Sequence, residues 1–167
     1  MQLPEAKDQF IAMWGNLGTE WGITRSMAQI HALLLLAESP LSADNVMSEL
    51  KIARGNANMH LRALIDWGLV KKETVPGDRK EYFVAHKDMW FIAKQVMLHR
   101  KKRELEPMIR ALHALQHIES DSAHDAKHFE EVTHDILVFA EKADAMLSTF
   151  VNADKNWLVK TFIGMVK

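Results

Sequence analysis

Residues 42–86 read SADNVMSELKIARGNANMHLRALIDWGLVKKETVPGDRKEYFVAH, and the punctuation of this stretch decides the fold. Ser42 is a good N-cap, because its hydroxyl can accept from a free backbone N–H of a first helical turn. Leu41 and Val46 stand where a hydrophobic staple closes over such a cap. Val46, Met47 and Leu50 give one apolar face, and Lys51, Ile52 and Ala53 make a turn. A second helix is predicted over 54–67, where Ala57, Leu61, Leu64 and Ile65 are spaced to bury one side. Gly68 stops it. Two strand-like runs, 69–75 and 80–85, flank Pro76-Gly77-Asp78-Arg79. Pro pre-sets φ at the first corner of a turn and Gly accepts positive φ at the second. Helix, turn, helix and hairpin in that order make a helix-turn-helix with a wing.

The other side of the second helix carries Arg54, Asn56, Asn58, Met59 and Arg62. Arg and Asn are the side chains that pair with guanine and adenine edges in a major groove. They fall in the first two turns, the part of a recognition helix that reaches base edges. Arg79 and Lys80 project from the wing tip, where a basic side chain can enter an adjacent, narrow minor groove. Each feature alone has a plainer reading, as a solvated helix face or an ordinary surface hairpin. Their adjacency favours DNA.

The segments GLVKKE (68–73) and PGDRKEYF (76–83) resemble the wing of MarR-type winged-helix regulators, whose wing carries an Asp-Arg pair. The match falls on Asp78 and Arg79. The resemblance implies that Arg79 enters the minor groove and that Asp78 helps to hold it. MWGNLGTEWGITRSMAQIHALLLL (13–36) together with RGNANMHLRALIDWGLV (54–70) is more specifically similar to the GbsR-like branch. Named members of that branch control genes for choline uptake and glycine betaine synthesis. The likeness covers about residues 8–110 well and the last third in outline. It implies a repressor, and it brings choline forward as an effector, although no motif here identifies one.

Charge is segregated along the chain. Net charge is −1, yet residues 1–50 carry −4, residues 51–103 carry +8 and residues 104–167 carry −5. The basic stretch coincides with the winged helix and the start of the following helix, the footprint expected for phosphate contact. There is no cysteine, which excludes disulfides and thiolate metal sites. The first residues are polar and acidic, unlike a signal peptide. The apolar run 32–37 is far short of the roughly 20 residues that span a bilayer. These features predict a cytoplasmic location.

Outside the organising stretch, a helix is predicted over 5–17, with Phe10, Met13, Trp14 and Leu17 on one side. Gly15, Gly18 and Gly22 predict its end near 16–19, with Trp21 continuing the apolar spacing. Thr24 can cap a helix over 25–37. After the wing, Lys87-Asp88 opens a long helix with Met89, Ile92, Val96 and Leu98 on its apolar face. A basic cluster, 99–103, follows; it reads either as a solvated face or as extra phosphate contact. Pro107 predicts a kink or break near Glu106. Beyond a polar joint at 120–125, a helix over 126–151 places Phe129, Val132, Ile136, Phe139, Ala143, Met146 and Phe150 at alternating spacings of three and four. That is a bundle or coiled-coil seam. A last helix is predicted over 154–166.

His113/His117 and His124/His128 are i, i+4 pairs, with His134 nearby, but no thiol accompanies them, and ordinary exposed or satisfied histidines are expected rather than a metal site. No GxSxG, phosphate loop or HExxH is present, so no enzyme is expected. Trp14 and Trp21 lie near the junction of two lobes, where aromatic faces could hold a quaternary ammonium effector.

The expected protein is mostly α with a small β wing. It has an N-terminal helix (1–22) joining the dimer lobe, a winged helix-turn-helix (23–87) and a helical dimerisation domain (88–167). The predicted partners are double-stranded DNA with a palindromic operator, a second copy of the chain, and a small effector such as choline. No cofactor is implied. DNA-binding residues are Arg54, Asn56, Asn58, Met59, Arg62, Asp78, Arg79 and Lys80; effector-binding residues are Trp14 and Trp21. The alternative is a helical interaction module whose winged helix binds protein.

Overall fold

The computed structural model describes residues 1–116 and 123–153. It resolves into two compact units, Met1–Ile92 and Ala93–Lys167. The first contains α1 (Leu3–Glu20), α2 (Arg25–Leu36), β1 (Leu41–Ser42), α3 (Ala43–Leu50), α4 (Arg54–Asp66), β2 (Val70–Thr74) and β3 (Glu81–Ala85). α5 (Met89–Arg100) carries the chain into the second unit. There follow a π-helical stretch (Lys101–Leu105), α6 (Glu106–Ala114) and α7 (Ala123–Asn152).

In the first unit, capping sets the element boundaries. Thr24 Oγ1 accepts from Met27 N–H at 3.3 Å and starts α2. Ser42 Oγ accepts from Asn45 N–H at 3.2 Å, while Asn45 Oδ1 accepts from Ser42 N–H at 3.0 Å, a reciprocal capping box at the start of α3. Lys51 ends α3 in the left-handed region at φ 53°, and Gly68 does the same after α4 at φ 70°. α2 is the central helix: α1, α4 and β3 all pack on it. Ile30, Leu34, Val46, Leu61 and Leu64 are fully buried. Each contributes roughly 1.5–3 kcal/mol relative to exposure.

The sheet is antiparallel in the order β1-β3-β2. The pair β2/β3 is the predicted wing, running from Val70 opposite Ala85 to Thr74 opposite Glu81. Phe83 and Ala85 point inward and alternate with partly exposed neighbours. β1 is new. Leu41 pairs with Phe83 and Ser42 with Tyr82, so the capping residue of α3 is also tied to the wing.

The first helix departs from expectation in two ways. It runs through the glycines to Glu20, and its buried side is Ile11, Gly15 and Gly18. A Cβ on Gly18 would stand 2.4 Å from Ala28 Cβ, and one on Gly15 would stand 2.8 Å from the Gln29 side chain. The glycines let α1 lie against α2, so they are contact residues and not helix breakers. The side holding Phe10, Met13, Trp14 and Leu17 is left partly open, Met13 being 48% exposed.

In the second unit, Leu112, Thr133, Leu137 and Ala140 make the buried contact of α6 with α7. The predicted break at Pro107 is a widened turn: Glu106 N–H donates to Lys101 O, a π-type bond, immediately before the proline. Proline has no N–H to give and its ring crowds the preceding turn, so widening relieves both faults. Lys101 of the basic cluster is held by Asp144 at 2.8 Å and Glu106 at 3.0 Å. Those bonds, Asp144 first, raise its pKa and keep it charged. The predicted last helix, 154–166, and residues 120–122 of the polar joint lie outside the described residues, while 123–125 are already the first turn of α7.

Candidate DNA-binding surface

The surface is assembled from α3, α4 and the wing. α3 packs on α4 and both rest on α2, which fixes the angle at which α4 is presented. Ala57, Leu61 and Leu64 are fully buried, so the opposite side must face outward. Met59 is 59% exposed there, with Arg54 and Arg62 also exposed. Asn56 and Asn58 lie on the flanks of that side and are only half-buried. Asn56 Oδ1 is buried and receives no donor among the described residues. On the inner flank His60 is buried with Nε2 3.4 Å from Thr24 Oγ1, and burial lowers its pKa.

The wing turn is built as its residues dictate. Asp78 N–H donates to Val75 O at 3.0 Å across Pro76-Gly77, and Gly77 takes φ 86°, a type II turn. Asp78 Oδ1 then accepts from Lys80 N–H at 2.9 Å, and Oδ2 accepts from Tyr82 O–H at 2.8 Å. The Lys80 N–H, then the Tyr82 hydroxyl, depress the Asp78 pKa, and the same contact raises that of Tyr82. Asp78 is therefore an ionised clasp on the backbone of the tip, which leaves Arg79 projecting. The resemblance implies that Asp78 helps to hold Arg79; here the carboxylate meets the backbone N–H of Lys80 and of Arg79 and the Tyr82 hydroxyl. Tyr82 was not singled out in the sequence, although its place four residues after Asp78 in the returning strand carried the signal.

The basic excess is partly neutralised within the surface. Arg54 Nη2 is 2.9 Å from Asp44 Oδ1, and Lys80 Nζ is 3.6 Å from Asp44 Oδ2. Lys72 pairs with Glu81 at 2.6 Å and Lys71 with Glu73 at 2.7 Å. Arg62 and Arg79 are exposed and meet no acidic side chain among the described residues.

The aromatic residues behave differently from one another. Trp14 stacks on Phe10 with ring centroids 5.5 Å apart and lies 6.2 Å from the ring of His31, tilted by 54°. His31 is 4% exposed, its Nε2 has no partner among the described residues, and burial lowers its pKa to about 4. Trp21, at the end of α1, is 55% exposed. The two tryptophans are seven positions apart in the chain, a rise of about 10 Å between their Cα atoms on a continuing helix. An open groove of about 370 Å³ between the start of α1, the end of α2 and α3 is lined by Leu3, Ile11, Leu33, Leu36 and Leu41 and includes neither tryptophan. Among the described residues no group of three His, Asp or Glu side chains is placed to hold a metal. His113 bonds Glu141 at 3.0 Å. No helix among them is long and apolar enough to cross a membrane.

This arrangement, a capped pair of helices followed by a clasped hairpin, defines a winged helix-turn-helix. The model of the MarR family matches residues 21–81, from the turn before α2 to the first residue of β3. The HTH-type transcriptional repressor GbsR of Bacillus subtilis (strain 168) is 25% identical over 114 residues, covering 68% of this chain and 63% of its own length. A solved structure described as a transcriptional regulator superposes with a TM-score of 0.59 at 16% identity, over 86% of this chain and 99% of that one, a likeness of fold. The match to the MarR family model thus falls on the winged helix, and the likeness to GbsR extends over 114 residues.

Proposed function

We propose that this protein is a sequence-specific, double-stranded-DNA-binding transcriptional regulator, a cytoplasmic repressor that acts as a homodimer and has no catalytic activity. One observation carries the reading: a winged helix matched by the MarR family model presents exposed arginines on both its recognition helix, Arg62, and its wing tip, Arg79, with no acidic partner among the described residues. Arg54, Asn56, Asn58 and Met59 would enter the major groove or flank it, the Asn side chains on base edges and Met59 against a thymine methyl. Asp78 and Lys80 would set the wing for Arg79. Nothing favours the alternative of a protein-binding module.

The homodimer is supported by the seam on α7. Phe139 is 75% and Met146 74% exposed, and Phe129, Val132 and Ile136 are exposed beside them. The buried side of α7 is a different one, through Thr133, Leu137 and Ala140. An apolar seam of this length is a surface for a second copy. In this reading 88–167 is the dimerisation domain, 1–22 is the N-terminal helix that belongs with it, and 23–87 is the DNA-binding domain. Two recognition helices would then meet a palindromic operator.

An effector of quaternary ammonium type, such as choline, would use Trp14 and Trp21. The Phe10–Trp14 stack supports this part of the reading, and so does His31, whose pKa of about 4 keeps it neutral near pH 7 and spares a cation any repulsion.

The experiment is selection of duplexes from a random pool, followed by titration of a selected duplex with wild type and Arg79→Ala at several salt concentrations. Wild type should bind with a steep inverse salt dependence, since each neutralised phosphate releases counterion. Arg79→Ala should bind all duplexes more weakly and with a shallower slope. Failure to enrich any duplex, with the protein folded, refutes the function; equal binding by Arg79→Ala removes the wing from it.

A further inference from the structure

Asp44 is a carboxylate placed in the middle of the cationic surface. It stands in the first turn of α3, yet its two oxygens reach two other elements: Oδ1 is 2.9 Å from Arg54 Nη2 at the start of α4, and Oδ2 is 3.6 Å from Lys80 Nζ in the turn of the wing, just before β3. All three side chains are about half exposed or more, so the pairs face solvent, and together with Ser42 and Asn58 they line one shallow hollow. We propose that Asp44 is a specificity-determining residue that occupies, in the free protein, the place of a DNA phosphate on Arg54 and Lys80. This inference rests on the DNA-binding reading above.

The physical case is a competition. Exposed ion pairs are weak, so Asp44 cannot lock Arg54 or Lys80 against DNA. A phosphate approaching either cation must share it with Asp44 or displace it, and an unreleased carboxylate repels the strand. On random DNA the recognition side chains gain no base contacts to offset that repulsion. On a matched operator those contacts hold the surface close enough for phosphate to take both cations. Asp44 therefore lowers affinity for DNA in general more than affinity for the operator, which raises the ratio between them. Removing the carboxylate frees two cations for phosphate, and random DNA should gain most.

The test compares wild type, Asp44→Asn and Glu49→Gln on a labelled random duplex and on a selected one. Glu49 is exposed at the other end of α3, so its substitution removes the same charge away from Arg54 and Lys80. Asp44→Asn should bind the random duplex about three- to tenfold more tightly, the span expected for releasing two exposed pairs. Its salt dependence should steepen by about 1 to 2 in slope, one phosphate per freed cation. The ratio of selected to random affinity should fall. Adding Arg54→Ala to Asp44→Asn should cancel about half of the gain. An Asp44→Asn protein with wild-type unfolding but unchanged or weaker random binding overturns the inference, as does an equal gain in Glu49→Gln. Wild-type protein that binds no duplex overturns the DNA-binding reading, and this inference with it.

Discussion

Substituting His31 should reshape the acid limb of the stability curve. His31 lies in the middle of α2, buried against Trp14, and it is held neutral there, with a pKa lowered by burial from 6.5 to about 4. The sign follows from proton binding. Between those two values the unfolded chain takes up a proton at this position and the folded chain does not. Stability from this group is therefore fully present above about pH 6.5 and drains away as pH falls toward 4. At 1.36 kcal/mol per pKa unit the total is about 3 kcal/mol. Urea unfolding of wild type, His31→Gln and His31→Leu at steps from pH 7.5 to about pH 4 measures it. Carboxylates and His60 act in all three proteins, so the informative quantity is wild type minus variant. That difference should fall by about 3 kcal/mol toward low pH. A difference that stays flat across the window refutes the assignment of His31 as a buried neutral imidazole.

Gly18→Ala should destabilise the first unit by about 2 kcal/mol through overpacking, because the new methyl meets Ala28 Cβ at 2.4 Å; adding Ala28→Gly should restore most of the loss in the same urea titration. Phe139→Glu should convert a dimer to a monomer in sedimentation and abolish operator binding, since a charge in an apolar interface is strongly unfavourable; an unchanged dimer would move the interface away from α7. Choline should quench tryptophan fluorescence saturably and change operator affinity, while an analogue with tert-butyl in place of trimethylammonium should do far less. No response to choline or to glycine betaine would remove the quaternary-ammonium assignment and leave the DNA-binding reading intact.

The winged helix was legible because its signals are local. Ser42 as a cap between Leu41 and Val46, Pro76-Gly77 between two strand-like runs, and the 57-61-64 spacing each report on one or two turns of chain. What escaped the sequence depends on partners distant along it. Gly15 and Gly18 look like breakers until Ala28 and Gln29 are seen against them. His31 and His60 read as polar among nine histidines, and only tertiary packing buries them. Asp44 and Arg54 are ten residues apart, and Lys80 far beyond, so no periodicity joins them. β1 is two residues long and exists because Phe83 and Tyr82 lie opposite. The apolar seam of α7 was visible in its spacing, whereas the side chosen for α6, offset by one residue, was not.

The wide turn at Lys101–Leu105 acts as a phase slip in the helical repeat. A π-type turn holds one residue more than an α-turn, which displaces everything after it by about 100° around the axis relative to an uninterrupted α-helix. Lys101 and Glu106 are five residues apart, a poor spacing for a pair on an α-helix, yet here they bond at 3.0 Å, in step with the wider turn. Loss of one residue within this stretch could be absorbed by tightening the turn, leaving Leu112 still directed at α7. Loss of one residue between Pro107 and Leu112 could not, because it would swing Leu112 away and bring His113 toward that contact. The sequence of this helical run is thus most tolerant of a changed length just before its proline, where its periodicity looks least regular.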